Sequence, residues 1–379
     1  MPRMGGSVVK IRLDFVRLAE QGSLNMRELC RRFRISAPTG YKWLGRYKRE
    51  GAPGLEDRSH RPRQQPKRSS PELEQRVVEV RGENPAWGGR KIRKVLERAG
   101  QGPLPSASTV SAILRRHELL DPRQQAVCKG WRRFEYQSPN ELWQMDFKGH
   151  FAIDRGRCHP LTVLDDHSRF NLGLRACRNE LESTAREQLS AIFRIYGLPG
   201  RMLADNGPPF GTKGEETYSS LEVWLMRLGV ELAHGRPRHP QTQGKDERFH
   251  RTLKLEVLRN REFHSLAQVQ REFDRWREVY NHQRPHDALE LEVPAARYRP
   301  SPRPFPESLP PLEYACDMIV RKVAGHGAIS FHSREFHIGK AFLGLPVGVR
   351  ATTTDGLFQV FFSATEIRHI DLRLESSDV

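Results

Sequence analysis

The chain has 379 residues, a formal net charge of +17 and a pI of about 10.0. This length predicts two or more domains, and this charge indicates a polyanionic partner such as nucleic acid. The five cysteines form no C-x-x-C motif, which argues against a zinc site or a disulfide framework. We find neither a signal peptide nor an apolar run near 18 residues, which argues against a membrane protein. We therefore expect a soluble cytoplasmic protein.

The positive charge is concentrated in the first part of the chain. Residues 1–139 contain 30 Lys and Arg against 14 Asp and Glu, a net of +16, whereas residues 140–379 contain 33 against 32, a net of +1. We therefore expect the N-terminal part to bind nucleic acid. The alternative is a basic tail that only aids solubility.

Residues 1–57 are predicted to form a helix-turn-helix domain. Apolar residues at helical spacing predict one helix over 8–22 and a second over about 26–33, and Ser36 is a suitable N-cap for a third helix that ends near Gly51. The last helix of such a domain enters the major groove of DNA, although a plain three-helix bundle has the same pattern. The candidate DNA-binding residues on this helix are Thr39, Tyr41, Lys42 and Arg46.

The next two segments are also predicted to contact DNA. Residues 58–70 form a basic, proline-containing linker in which Arg61 and Arg63 could follow a minor groove or a phosphate track. Residues 71–122 repeat the helix-turn-helix plan, with one helix over 71–82 and others beginning near Gly89 and Ser106. The candidate DNA-binding residues of the third helix are Ser108, Thr109 and Arg115. A second polar linker covers residues 123–139.

From residue 140 to residue 299 the pattern changes to strands and helices. Apolar, β-rich runs predict strands over 143–151, 159–165, 169–176, 201–205 and 230–235, with helices over 182–196 and 221–228 and a loop over 207–219. Three antiparallel strands followed by alternating helices and strands give a mixed α/β fold of the ribonuclease H type. Six prolines between 300 and 311 indicate a linker over 300–314, and glycine-punctuated β-rich runs predict a small closed β-barrel over 315–379.

Three acidic residues of this central domain are candidates for metal-dependent chemistry. Asp146 lies in an apolar run that reads as a buried strand, Asp205 ends another such run, and Glu247 opens a long helical pattern. In the sequence, 58 residues separate the two aspartates and 41 separate Asp205 from Glu247. Phosphodiester cleavage by two divalent ions needs a sparse set of carboxylate ligands on rigid elements, and these three acids meet that need.

Four motifs carry a resemblance to a known family. They are Trp143-Gln-Met-Asp-Phe147, Asp205-Asn-Gly207, His239-Pro-Gln-Thr-Gln-Gly-Lys-Asp-Glu-Arg248 and Tyr280-Asn-His-Gln-Arg-Pro-His286. With these motifs, residues 140–300 resemble the integrase-catalytic-core transposases of bacterial insertion sequences, which are related to retroviral integrases. The chain departs from the family in the longer spacing before Glu247, which a loop insertion near 207–220 would absorb, and it has no His-His-Cys-Cys zinc module.

The resemblance implies a function and a site. It implies that Asp146, Asp205 and Glu247 bind two Mg²⁺ or Mn²⁺ ions, with Asp146 touching both. It also implies cleavage of double-stranded DNA to expose a 3′-hydroxyl, followed by attack of that hydroxyl on target DNA, in a bacterial cytoplasm where the active protein is associated with the nucleoid. Joining two DNA ends requires a homo-oligomer, at least a dimer on DNA.

Residues around Glu247 are expected to lie near the substrate. Arg251 and Lys254 follow Glu247 by four and seven positions and so share its helix face, where they could contact phosphates or remain as solvated charges. Gln243 and Lys245 precede the helix and are candidate DNA contacts. Asp246 is expected to point elsewhere on the helix.

Several acids and histidines are expected to have structural roles. The run from Asp165 to Arg169 reads as a turn held by side-chain hydrogen bonds, and Asp154 also lies near a strand end without an expected metal role. The histidines at positions 239, 250 and 286 have no metal-ligand spacing, and His286 is expected to organise a turn.

Two other functions are compatible with parts of this pattern. A catalytically silent DNA-binding derivative would keep the helix-turn-helix domains, but it would have no need for all three acids. A structure-specific nuclease on the same fold would need the acids, but the tandem DNA-reading domains argue against it. A nuclease gives only hydrolysis, whereas a transposase joins strands.

Overall fold

A computed structural model describes residues 8–58, 69–100, 102–120, 135–212, 218–235, 244–259 and 261–374. The chain divides into two compact units, Met1–Arg68 and Ser69–Val379. None of the described helices is long and apolar enough to cross a membrane.

The first unit is a three-helix domain of the predicted helix-turn-helix type. Its helices are α1 (Val8–Glu20), α2 (Met26–Arg32) and α3 (Ala37–Glu50). The Ser36 side chain accepts a hydrogen bond from the Thr39 N–H at the start of α3, as its N-cap position predicts. Phe15, Leu29 and Trp43 form the buried core. A Cβ at Gly40 would lie 2.6 Å from the Cys30 Sγ, so the lack of a side chain there allows α3 to pack closely on α2.

The second unit begins with another three-helix domain. Its helices are α4 (Pro71–Glu83), α5 (Gly89–Arg98) and α6 (Ala107–Arg116). Ser70 and Ser106 cap α4 and α6 by accepting hydrogen bonds from backbone N–H groups. The core of this domain includes Trp87, Ile92 and Ile113. Both predicted helix-turn-helix domains are therefore present.

The central domain has the predicted mixed sheet. Its strands are β1 (Leu142–Phe147), β2 (Phe151–Ile153), β3 (Gly156–Asp165), β4 (Asn171–Cys177), β5 (Arg201–Ala204) and β6 (Glu231–His234). The order is β2-β3-β1-β5-β6, with β4 also paired to β3. β1, β3 and β4 are antiparallel neighbours, whereas β5 runs parallel to β1 and to β6, which places β1 in the centre.

Helices cover both faces of this sheet. They are α7 (Glu182–Tyr196), α8 (Ser220–Arg227), α9 (Gly244–Leu253) and α10 (Leu266–Glu278), and α9 and α10 continue into π-helical turns at Lys254–Leu258 and Val279–Gln283. Phe193 and Trp224 from α7 and α8 pack in one buried cluster with Trp143 of β1. Phe249 and Phe273 from α9 and α10 pack in another, with Leu174 of β4.

The proline-rich segment predicted as a linker is packed on the central domain. It lacks regular secondary structure, but the Arg303 guanidinium donates hydrogen bonds to the carbonyl oxygens of Pro199 and Leu228. Glu307 forms an ion pair with Arg194 of α7, with a nitrogen–oxygen distance of 2.8 Å. The prolines correctly predict that this segment lacks regular secondary structure. No sequence pattern predicts the hydrogen bonds that attach it to the central domain.

The C-terminal part contains six strands that do not confirm a closed barrel. They are β7 (Ile319–Lys322), β8 (Ala328–Phe331), β9 (Arg334–His337), β10 (Pro346–Ala351), β11 (Leu357–Phe362) and β12 (Thr365–Asp371). Within the described residues they form an open four-stranded sheet, β12-β11-β10-β7, and a separate β8-β9 hairpin. The buried side chains of this part pack with Val223 and Met226 of α8, so the sheet face is closed by a helix of the central domain.

Candidate active site

Asp146 and Asp205 lie at the same edge of the central sheet. β1 and β5 are parallel neighbours in a register that pairs Gln144 with Leu203, so Asp146, which is still within β1, lies beside Asp205, which directly follows β5. The Asp205 charge also acts on the Asp146 carboxyl group. The structure therefore brings together two of the three predicted carboxylates.

The electrostatics of this pair favour a bound cation. Burial, and then the charges of Asp205 and Glu180, raise the pKa of Asp146 to about 7. Burial also raises the pKa of Asp205, although a hydrogen bond from the Gly207 backbone lowers it. The Asp205 Oδ1 is buried and has no hydrogen-bond partner among the described residues. Two repelling carboxylates with an unpartnered buried oxygen fit a hard divalent cation such as Mg²⁺.

Glu247 lies in the first turn of α9, on its exposed face. In the described part of the chain, no group of three His, Cys, Asp or Glu side chains is arranged to hold a metal ion. The three-carboxylate site therefore stays a prediction.

His250 is a neighbour of Asp146 that the sequence analysis did not assign to the site. The Thr162 hydroxyl donates a hydrogen bond of 3.0 Å to the Asp146 carbonyl oxygen and lies 2.9 Å from the His250 Nε2. Because the hydroxyl proton is used on the carbonyl, the Nε2–H of a neutral imidazole donates to the hydroxyl oxygen. The bare His250 Nδ1 then lies 3.6 Å from the Asp146 Oδ2.

The His250 ring is held in its neutral form. Burial, and then the charge of Lys148, lower the pKa of His250 to about 4. The sequence signal that could have identified it is its position three residues after Glu247 on the same helix. Metal-ligand spacing was the wrong criterion, because the partner of His250 is on a strand distant in sequence.

Asp246 points to a different side of α9 from Glu247, as expected, and that side faces the interior. Its side chain is buried, with 3% exposure, whereas Glu247 is exposed. Burial, and then the charges of Asp146 and Asp166, raise its pKa well above the ordinary value. Residues four apart share a helix face, so Asp246 and His250 line the inner face of α9, whereas Glu247, Arg251 and Lys254 are exposed.

Lys245 is engaged inside the protein. Its Nζ lies 2.5 Å from the Asp166 Oδ1 and donates to the Asp166 carbonyl oxygen at 3.1 Å. The buried Asp166 side chain also accepts hydrogen bonds from the Gln144 amide and the Tyr136 N–H. Burial, and then the charge of Arg169, lower the pKa of Lys245 to about 8. The structure thus gives Lys245 an internal ion pair in place of an exposed position for a DNA contact.

The turn predicted after Asp165 is present. The Asp165 side chain accepts hydrogen bonds from the Ser168 N–H and hydroxyl and from the Asn140 N–H. His286 also has the expected turn role, since its N–H donates to the Glu292 carbonyl oxygen.

The exposed face of α9 carries two of the predicted cations. Arg251 and Lys254 are exposed, and neither forms an ion pair within the described residues, including with Glu247. Burial, and then the charge of Lys254, lower the pKa of Lys148, so these two side chains are close enough to interact. Lys148, two residues after Asp146, and the exposed Arg251 and Lys254 therefore give this part of the central domain three cations.

The candidate DNA contacts of the helix-turn-helix domains differ in exposure. Tyr41, with 60% exposure, and Lys42 are exposed on α3, whereas Arg46 is half-buried and Thr39 is bonded to the Ser36 hydroxyl at 2.8 Å. On α6, Ser108 and Arg115 are exposed and Thr109 is half-buried. Three candidates, Arg61, Arg63 and Gln243, lie outside the described residues.

Family models match both helix-turn-helix domains, the central domain and the C-terminal part. Two integrase core domain models match residues 137–240 and 228–294. A helix-turn-helix domain model matches residues 11–63, and a homeodomain-like model matches residues 39–114. A model of the IS481 family transposase C-terminal domain matches residues 318–378.

Several similar curated proteins come from insertion elements. An uncharacterised 31.7 kDa protein of insertion element IS407 from Burkholderia multivorans is 26% identical over 239 residues, which cover 60% of this chain and 82% of that protein. The transposase InsD of insertion element IS2 from Escherichia coli is 25% identical over 234 residues, which cover 58% of this chain and 75% of that protein.

The similar solved structures are of retroviral proteins. A chain of the simian T-cell lymphotropic virus intasome, in complex with the PP2A regulatory subunit B56 gamma, has 15% identity and a TM-score of 0.40, covering 79% of this chain and 96% of that chain. The HTLV-2 integrase catalytic core domain in complex with magnesium has 12% identity and a TM-score of 0.33, covering 43% of this chain and 99% of that chain.

Proposed function

The chain has the integrase core of insertion-element transposases, and from this premise we propose that it cuts DNA at the ends of its element and joins the exposed 3′-hydroxyl groups to target DNA. The observation that carries the proposal is the pair of Asp146 and Asp205 at one edge of the sheet, with a buried, unpartnered carboxylate oxygen. A pair of this kind has no structural purpose on its own, since its members repel each other.

Asp146, Asp205 and Glu247 are the residues that would hold two Mg²⁺ or Mn²⁺ ions. Bound divalent ions stabilise the charge on the attacking and leaving oxygens of an in-line phosphodiester displacement. Asp146 has to lose its proton to bind a cation, and the neutral His250 beside it leaves the carboxylate free of a competing positive charge. Thr162 fixes the backbone of Asp146 and the ring of His250 together.

The cations around the site are suited to positioning DNA. Arg251, Lys254 and Lys148 would contact phosphates, which orients the substrate without reading its sequence. Exposed residues of α3 and α6 would contact base edges at the element's end. Water is the nucleophile in the cleavage step and a DNA 3′-hydroxyl in the joining step. Synapsis of two ends requires at least a dimer on DNA.

The decisive experiment combines acid substitutions with product analysis. Asp146→Asn, Asp205→Asn and Glu247→Gln should each abolish Mg²⁺-dependent cleavage of a labelled duplex carrying the element's end, while binding of that duplex is retained. Asp154→Asn is the matched control, because Asp154 is exposed and lies outside the site. Gel analysis with a plasmid target separates joined product from hydrolysed product.

Each outcome has a clear meaning. Joined product that disappears in all three variants supports the proposal. Cleavage retained in one variant removes that acid from the site. Hydrolysis without joining by the unaltered protein favours the nuclease, and end binding without cleavage favours the silent DNA-binding derivative.

A further inference from the structure

The second helix-turn-helix domain is attached to the central domain by one face of α5. Arg90, Lys94 and Arg98 recur every four residues and therefore lie on one helix face. All three side chains contact residues 287–292, which lie more than 180 positions later in the chain. These cations thus have a protein partner, although the composition of the N-terminal part suggested DNA.

The contacts are ion pairs and hydrogen bonds. The Arg90 guanidinium lies 3.3 Å from the Asp287 Oδ1, and the Lys94 Nζ lies 3.4 Å from the Glu292 Oε1. The Arg98 guanidinium donates to the Glu292 Oε2 at 2.8 Å and to the Leu291 carbonyl oxygen at 2.9 Å. Two acids of the central domain therefore bind three cations of α5.

Apolar packing supports this attachment. Val279 packs against the buried cluster that includes Val77, Trp87 and Ile92 of the second helix-turn-helix domain. Val279 is thus a residue of the central domain that is shared with the core of the other domain. This contact makes the junction more than a set of surface ion pairs, each of which contributes little to stability.

Residues 279–292, which we call the platform, are held in the central domain by buried contacts. The Tyr280 and His286 rings are buried in edge-to-face contact, with centroids 4.6 Å apart. The Arg284 guanidinium donates to the Glu256 Oε1 at 3.0 Å, and both side chains are about nine-tenths buried. The platform contains the motif from Tyr280 to His286, which the proposed chemistry does not use.

The platform is also joined directly to the central sheet. The Asn281 side chain accepts a hydrogen bond of 2.8 Å from the Asn171 N–H and donates one of 3.0 Å to the Asn171 carbonyl oxygen. Asn171 begins β4, which pairs with β3, and β3 pairs with the strand that carries Asp146. A continuous chain of fixed contacts therefore runs from α5 through the platform to the carboxylate site.

We propose that the platform holds the second helix-turn-helix domain in one position on the catalytic core, and that this contact determines which phosphodiester of the element's end reaches the carboxylates. The proposal rests on the proposed function. Ser108 and Arg115 of α6 remain exposed while α5 is docked, so this domain can contact bases and stay in register with the site. Misplacement of a substrate by about 1 Å can lower a rate about a hundredfold, so small rotations of this domain matter.

The test reverses the platform charges. Asp287→Lys with Glu292→Lys places two cations against Arg90, Lys94 and Arg98. The matched control is Glu290→Lys with Glu313→Lys, which makes the same change in charge at exposed acids that form no ion pair among the described residues. The compensating variant adds Arg90→Glu, Lys94→Glu and Arg98→Glu to the platform reversal.

Two measurements are made on the full chain. One is the distance distribution between spin labels on Glu83→Cys of α4 and on the native Cys316, in a Cys128→Ser background and without DNA. The other is the position of the cuts in an end-labelled duplex carrying the element's end. We expect the platform reversal to broaden the distances and spread the cuts over neighbouring phosphates, with about a tenfold to hundredfold loss at the original position. End binding should remain, and the compensating variant should restore both measurements.

The two measurements separate the failure of this proposal from that of the proposed function. If the distance distribution stays narrow after the platform reversal, the platform does not hold the domain in position. If the distribution broadens but the cuts stay at the original phosphodiester, the contact does not determine where the DNA is cut. If the unaltered protein makes no cuts at all, the proposed function and the cut-position assignment both fail, while the distances still decide whether the platform holds the domain.

Discussion

The environment of Asp146 bears on both the stability of the chain and its proposed chemistry. Its pKa is about 7 in the folded chain against an ordinary value of 3.8, so the folded chain holds this proton more tightly than the unfolded chain. Unfolded chains therefore bind fewer protons at this position, and stability falls as the pH rises from about 4 to about 7. The site is thus destabilising at neutral pH without a cation.

The raised pKa of Asp146 predicts that its replacement by a neutral side chain is stabilising. Asp146→Asn should raise the free energy of unfolding in the absence of divalent ions, by about 1–3 kcal/mol at pH 8 and by less at pH 5, as measured by thermal unfolding. The control is Asp154→Asn, which should give no pH-dependent gain because Asp154 is exposed. An equal gain at both pH values would show that the charge of Asp146 is not the cause.

The sequence predicts which residues lie at the site better than it predicts the directions in which their side chains point. Asp146 and Asp205 could be predicted as neighbours because Asp146 lies in one apolar run and Asp205 ends another, and both runs form strands of one sheet. The inward direction of Asp246 could not, because a rotation of one residue on α9 exchanges it with Glu247, and the packing of Phe249 and Leu253 determines that rotation. Lys245 looked like a free cation because its partner, Asp166, is distant in sequence.

Among the elements, α9 depends on the pair of Lys245 and Asp166 for the position of its first turn. This pair connects the beginning of the helix to the turn after β3, on the side of the sheet where Asp146 lies. Removing one partner of a buried pair leaves the other uncompensated and costs about 3–5 kcal/mol. We therefore infer that the pair positions Glu247, which follows Lys245 by two residues.

Two substitutions of this pair test that role. Lys245→Met and Asp166→Asn should each lower cleavage about tenfold or more while DNA binding is retained, because α9 loses its anchor and the site its geometry. Lys254→Met is the matched control, since the exposed Lys254 should affect binding and its dependence on salt. Weakened DNA binding in Lys245→Met but not in Asp166→Asn would instead identify Lys245 as a phosphate contact.

The helices were more predictable than the C-terminal sheet. Ser36, Ser70 and Ser106 are local signals for helix starts, and each caps a helix in the structure. Barrel closure has no such local signal, because it depends on which strands meet across the sheet. Here Val223 and Met226 of α8 cover the sheet face. The apolar side chains of the sheet are therefore buried by a helix and not by closure of a barrel.

At the scale of the whole molecule, the two units should differ in their dependence on the rest of the chain. Residues 69–120 contact the platform and would leave it exposed if they were removed, whereas Met1–Arg68 is a compact unit by itself. The N-terminal charge should therefore be divided into a part that binds DNA and a part that binds the platform.

Removal of residues 1–68 should leave the second unit folded and weaken DNA binding. It should also reduce the salt dependence of binding, because fewer counterions are released when fewer cations meet phosphates. The measurement is the binding affinity for the element's end at several salt concentrations, with circular dichroism as the check on folding. An unchanged slope against salt would contradict a DNA-binding role for the first unit.

The packing of the C-terminal sheet on α8 also affects the order in which the chain can fold during synthesis. The apolar side chains of α8 at 223 and 226 pack in one cluster with residues of the C-terminal part, whose last strand ends at Asp371. At about 5–20 residues per second, a ribosome needs about 7–30 s to add the intervening chain. During that interval a nascent central domain exposes an uncovered apolar helix face, so chaperone binding should be concentrated there, and release should coincide with the emergence of β11 and β12.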